Sequence, residues 1–225
     1  MPKAIIFDWD QTLAHTDTAI IDSLKYTLKK YGKEPWNVVK TKYHDIKKPI
    51  KDNFLNFFGN KAKEAYQDYL ENYNQNGFSK VYPTEHAVDF LYLCQQKNIS
   101  LYIVSSKEPS LLQKEVRQCF PDIDFSQILG YGATSQNKPA PDPVFKALEN
   151  ISYPINSHNV WLIGDSQQDI DCAYNANILP ILLGNGNLME KNYIKEHQQK
   201  EPPLLVFKNF KEISAYLETT ETLKS

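Results

Sequence analysis

Ala4-Ile5-Ile6-Phe7-Asp8-Trp9-Asp10-Gln11-Thr12-Leu13 runs from four apolar residues directly into two acids. A short apolar run that ends abruptly in charge suits a strand buried on both faces of a parallel sheet. Residues 99–104 repeat the pattern and end in Ser105-Ser106; residues 160–163 repeat it again and end in Gly164-Asp165. Residues 180–183 and 204–207 are further strand candidates. Between these runs apolar residues recur at helical spacing, as Ala87, Phe90, Leu91 and Cys94 do within 85–97. Residues 110–119, 142–149, 168–175 and 210–217 read the same way. Strand alternating with helix predicts an α/β fold with a doubly wound parallel sheet. Polar residues gather after the strands, where such sheets place their sites.

Residues 15–82 break the rhythm. They carry helical stretches rich in Tyr, Lys, Asn and Phe without a convincing strand, and Tyr82-Pro83-Thr84 reads as the turn that returns the chain to the core. The expected organisation is a discontinuous core, 1–14 and 83–225, with a small all-helical cap, 15–82, inserted after the first strand. Phe54, Phe57, Phe58 and Tyr43 are expected to form the core of that insertion. Lys40, Lys42, Lys47, Lys48 and Lys51 make part of it basic, as a solvated face or as an attraction for an anionic substrate. The tail after Leu217 is polar and is expected to fray.

The chain has 225 residues, 41% hydrophobic and 23% charged, with a formal net charge of -2. That balance supplies no global field for nucleic acid or an anionic membrane. Cys94, Cys119 and Cys172 are scattered and odd in number, with no zinc spacing, and read as reduced, buried thiols. The first apolar run is too short for a signal peptide, and no run is long enough to span a membrane. The expectation is a soluble cytoplasmic protein, monomer or homodimer, without nucleic-acid or membrane partners.

Four loops carry chemistry. Asp8 and Asp10, at i and i+2 leaving a strand, share a side, and two close carboxylates repel unless a cation lies between them. That is equipment for a carboxylate nucleophile with an acid/base partner. A calcium-binding EF-hand loop is excluded, because Leu13 stands where that loop needs glycine. Ser105, Ser106 and Lys107 offer hydroxyls and N–H groups to a phosphoryl group. Lys138, before Pro139-Ala140-Pro141-Asp142, can balance several negative charges. Asp165 can ligate a hard metal, and Asp169, one turn on, can orient Lys138. Each loop alone also reads as an ordinary strand-end turn or helix cap.

Taken together, in this order and each after its own strand, these residues resemble the haloacid dehalogenase-like phosphatase superfamily. The match runs from Asp8 to about Leu183. The helical insertion resembles the subgroup typified by phosphoglycolate phosphatases. The resemblance implies a Rossmann-like core and a Mg²⁺-dependent phosphatase acting on a small phosphorylated metabolite. It implies attack by Asp8 to form an aspartyl-phosphate, and proton transfer by Asp10. Mg²⁺ would be held by the Asp8 carboxylate, the Asp10 carbonyl and Asp165. Ser105 and the Ser106 N–H would grip the phosphoryl group, with Lys138 balancing charge and Asp169 holding Lys138.

Departures from the family pattern fall at Gln11, where glycine is usual, at Ser106, where asparagine is common, at His15, where the subgroup often has aspartate, and at Asn177, which replaces a common glycine. A phosphomutase of the β-phosphoglucomutase type shares the core but carries a cap histidine where this chain has Ile20. A catalytically weak binding or regulatory protein is the other alternative.

Overall fold

A computed structural model describes residues 1–42, 50–184 and 191–222, the backbone alone at 40–42 and 221–222. The chain begins with β1 (Ala4–Phe7) and β2 (Ala14–His15), followed by α1 (Asp17–Lys30), α2 (Trp36–Lys42), α3 (Ile50–Phe58) and α4 (Ala62–Asn76). Then come β3 (Tyr82–Pro83), α5 (Ala87–Gln96), β4 (Ser100–Val104), α6 (Pro109–Cys119), β5 (Gln127–Leu129) and α7 (Asp142–Ala147). It closes with β6 (Val160–Gly164), α8 (Gln167–Asn175), β7 (Leu179–Leu183), α9 (Lys191–Gln198), β8 (Leu205–Phe207) and α10 (Phe210–Thr222). Two compact units result: Met1–Leu13 with Pro83–Ser225, and Ala14–Tyr82.

The first unit is the expected doubly wound fold. Among the described residues, six parallel strands lie in the order β5-β4-β1-β6-β7-β8. From β1 the chain builds outward through β4 and β5 on one side, then through β6, β7 and β8 on the other. The strand order therefore reverses beside β1, where open α/β sheets place their crevice. The apolar reading of β1 has a physical cause: Ala4, Ile5, Ile6 and Phe7 are all fully buried, between layers of helix. Ala4 and Ile6 pack with Val144, Ala147, Cys172 and Ala173 of α7 and α8. Phe7 turns the other way, with ring centroids 6.1 Å from Phe90 of α5 and 6.3 Å from Phe210 of α10. Cys94, Cys119 and Cys172 are free and buried, and burial pushes each thiol up to about 12.

The second unit is helical, and Phe54 sits in its core. The Phe54 ring lies 5.0 Å from Phe58, 5.0 Å from Tyr66 and 5.5 Å from Tyr69. Phe57 is buried beside them, while Tyr43, Lys47 and Lys48 lie outside the described residues, as do the side chains of Lys40 and Lys42. Lys51 is exposed, with Nζ 5.3 Å from the Tyr66 ring centroid.

The structure corrects the sequence reading in four places. β2 and β3 pair as a short ribbon, where no strand was expected. Two residues per strand are too few to show a period. β5 was missed for the same reason, with three half-buried residues on a sheet edge. α9 has a polar sequence and so lacks an apolar stripe of the expected width. α10 continues through Thr222 rather than fraying after Leu217.

Candidate active site

The ends of β1, β4 and β6 and the loop after β5 bring the singled-out residues of the first unit together. The Asp8 N–H donates to the Ile163 carbonyl at 2.9 Å, extending the sheet one residue past β1. The chain then turns sharply, with the N–H groups of Thr12 and Leu13 both donating to the Trp9 carbonyl, at 3.2 and 3.1 Å. Gln11 holds the corner of this turn at φ 63°. That is the left-handed region, where a side chain with a Cβ costs about 1–2 kcal/mol. Asn177 takes the same conformation, at φ 55°, with the residue type that tolerates it better. The two glycine departures thus keep a glycine-like backbone.

Lys138 lies between two acids. Its Nζ donates to Asp8 Oδ1 and to Asp169 Oδ1, both at 2.6 Å, and all three side chains are buried. Asp169 Oδ2 accepts from the Ser166 N–H at 3.1 Å and from the Ser166 hydroxyl at 2.5 Å, at the start of α8. Asp169 is therefore engaged at both oxygens. Gly164 is needed here because a Cβ at that position would overlap the Asp169 carboxylate. Ser105 follows β4, its N–H donating to the Leu129 carbonyl at 2.9 Å, and its Oγ accepts the Lys107 N–H at 3.2 Å. Ser106 is half-buried beside it.

The site carries more negative charge than its lysines balance. Burial pushes Asp8 up; Lys138 pulls it down, Asp169 and Asp10 push it up further, and the result is about 7. Burial, then Asp8 and Asp169, push Asp165 up to about 8. Burial pulls Lys138 down, but Asp169 and Asp8 outweigh it and leave the ammonium raised. Ligand oxygens of Asp8, Asp165 and Asp169 all lie within 4.8 Å of one another. A hard, all-oxygen donor set of three close carboxyl groups, two of them raised, fits a divalent cation, which would relieve that repulsion. Both oxygens of Asp169 accept short hydrogen bonds, whereas Asp8 Oδ2 takes only the Thr12 hydroxyl at 3.5 Å, so Asp8 and Asp165 are the members with more capacity to spare. His15 lies in the other unit, with its ring centroid 5.0 Å from that of Tyr82.

Trp9 and Glu115 had no role in the sequence reading, and Lys107 had one only within the loop offered to a phosphoryl group. Lys107 Nζ donates to Asp10 Oδ1 at 2.9 Å and lies 3.2 Å from Glu115 Oε2. The Trp9 indole N–H donates to that same Glu115 oxygen at 2.6 Å. A signal was present. Glu115 falls on the stripe Leu111, Leu112, Val116 and Cys119 that α6 buries. A fully buried acid on an apolar face requires a partner.

Comparison with known proteins agrees with this architecture. The family model for haloacid dehalogenase-like hydrolases matches residues 5–182. Pyrophosphatase PpaX from Oceanobacillus iheyensis is 28% identical over 193 residues, covering 86% of this chain and 88% of its own. A phosphoglycolate phosphatase from Aquifex aeolicus is 27% identical over 213 residues, covering 91% and 95%. The crystal structure of a HAD-superfamily hydrolase from Ehrlichia chaffeensis superposes with a TM-score of 0.61 at 28% identity, covering 97% of each chain. With its strand order, its strand-end acids and a family match over most of its length, this chain belongs to the haloacid dehalogenase-like hydrolases.

Proposed function

We propose that this protein is a Mg²⁺-dependent phosphatase of small phosphorylated metabolites. The observation that carries this reading is Asp8, which is buried at the end of an inner strand and held at 2.6 Å by Lys138. Two residues on stands a second acid whose side chain is 30% exposed. An Asp8 oxygen attacks phosphorus, the ester P–O bond breaks, and Asp10 gives its proton to the leaving oxygen. Water then attacks the aspartyl-phosphate, Asp10 takes a proton back, and phosphate leaves as the Asp8 carboxylate is restored. Lys138 offsets charge on the transferring group, Asp169 holds Lys138, and Ser105 with the Ser106 N–H orients the phosphoryl oxygens. Asp8, Asp165 and the Asp10 carbonyl would hold Mg²⁺, which supplies charge neutralisation at the phosphoryl oxygens.

The relatives named above act, by their names, on pyrophosphate and phosphoglycolate, and both belong in the first substrate panel. In this reading residues 15–82 serve as the cap that selects among such substrates. The test is release of phosphate from an aryl phosphate and from that panel, with Mg²⁺ and with EDTA. Turnover is expected to require Mg²⁺ and to vanish in Asp8→Asn. Robust turnover in EDTA, or an active Asp8→Asn protein, overturns the mechanism.

A further inference from the structure

Asp10 needs more than a place in the sequence. The Asp10 side chain is 30% exposed, and of the staggered rotamers of a short carboxylate proton transfer requires one. A line of buried groups reaches it from the interior. The Trp9 indole is fully buried and meets Phe120 edge-on, with ring centroids 5.8 Å apart. Its N–H binds Glu115, Glu115 pairs with Lys107, and Lys107 donates to Asp10. Glu115 has no exposed surface and the Lys107 side chain only 5%.

Stability alone is a poor reason for such a pair, since an apolar pair of similar volume commonly serves as well or better. What an apolar pair lacks is a donor aimed at Asp10. Trp9 stands between Asp8 and Asp10 and points inward, opposite to them by the two-residue period. The loop is thus tied to α6 through its middle residue and again through Asp10.

We propose that Lys107, held by Glu115, is a positioning residue that fixes the Asp10 carboxylate in the rotamer from which it exchanges protons with the leaving group and with water. The inference rests on the phosphatase reading above. It makes Lys107 matter most where protonation of the leaving oxygen matters most. A 2,4-dinitrophenolate departs without help, whereas an alkoxide does not.

The experiment compares kcat/KM for 2,4-dinitrophenyl phosphate with that for an alkyl phosphate. It uses wild type, Glu115→Gln and the paired variant Lys107→Met/Glu115→Gln. The paired variant leaves no buried charge alone, and glutamine keeps an acceptor for Trp9. General acid catalysis is worth ~10²–10⁴-fold, so the aryl-to-alkyl ratio is expected to rise at least ~10-fold in the paired variant. A smaller rise is expected in Glu115→Gln. Added to Asp10→Asn, the paired change is expected to cost less than about twofold more, because residues that act through one another are not additive. An unchanged ratio in both variants, or full additivity with Asp10→Asn, overturns the inference while the phosphatase reading stands. A wild-type protein that hydrolyses neither ester overturns both.

Discussion

Replacing Lys138 by methionine tests the charge balance of the site most directly. Lys138 Nζ lies 2.6 Å from an oxygen of Asp8 and 2.6 Å from one of Asp169, with its own side chain 4% exposed. At that distance and an effective dielectric of about 20, each contact corresponds to roughly 6 kcal/mol of Coulomb attraction. Desolvation offsets several kcal/mol per ion, so the intact cluster contributes little net stability. Removing the cation is a different matter. Two buried carboxylates then face each other without a counter-charge, at a cost of about 3–5 kcal/mol. In a chain of this size each kcal/mol moves Tm by about 2–4 °C, so a fall of roughly 6–20 °C is expected. The measurement is calorimetric unfolding in EDTA at about pH 7.5 and again at about pH 5.5. The fall is expected to shrink at the lower pH. Without Lys138 the Asp8 carboxyl takes up a proton more readily, and in the wild type Asp8, at about 7, has largely lost its charge at the lower pH, so the ammonium has less to balance. A fall smaller than about 2 °C near neutrality, or an equal fall at both pH values, refutes the reasoning.

The metal-free protein has a pH dependence of definite sign. Asp8, at about 7, and Asp165, at about 8, both sit above the ordinary 3.8, so these groups hold more protons folded than unfolded between about pH 4 and 8. Their contribution to stability therefore falls as pH rises through that window. In EDTA the Tm is expected to decline from pH 5 to pH 8, and Mg²⁺ is expected to raise it more at pH 8 than at pH 5; a Mg²⁺ effect independent of pH would count against the cation site. Gln11→Gly relieves the strain of φ 63° but adds freedom to the unfolded chain, so urea denaturation is expected to find it neutral to about 1 kcal/mol more stable. Gln11→Val, β-branched at that same φ, is expected to lose at least about 1 kcal/mol, and a Gln11→Gly protein weaker than Gln11→Val would sink the strain account.

Much of this molecule is legible along the chain because burial writes itself as pattern. Ala4–Phe7 is apolar at every position because a parallel strand between two helical layers has no face to give to water. The same rule marks Ser100–Val104 and Val160–Gly164, and the residues that follow them are the polar ones at the sheet's open edge. β5 left no such mark, for its three residues are only half-buried. Glu115 left a mark that is easily misread, an acid on an apolar stripe, whose meaning depends on a lysine and an indole from other elements.

By itself, the sequence determined the alternation of strand and helix, the helical insertion and the order in which Asp8, Ser105, Lys138, Asp165 and Asp169 arrive. Those are matters of period and of local order, and period follows from which face of an element meets water. Only the tertiary structure decided that Lys138 lies between Asp8 and Asp169, 130 and 31 residues away in sequence. It alone decided that the Asp10 carboxylate is tied through Lys107 to a buried Glu115 and Trp9. The reason is physical. Periodicity reports how an element faces the solvent, whereas a charge is answered across space by whatever the fold brings within about 3 Å of it.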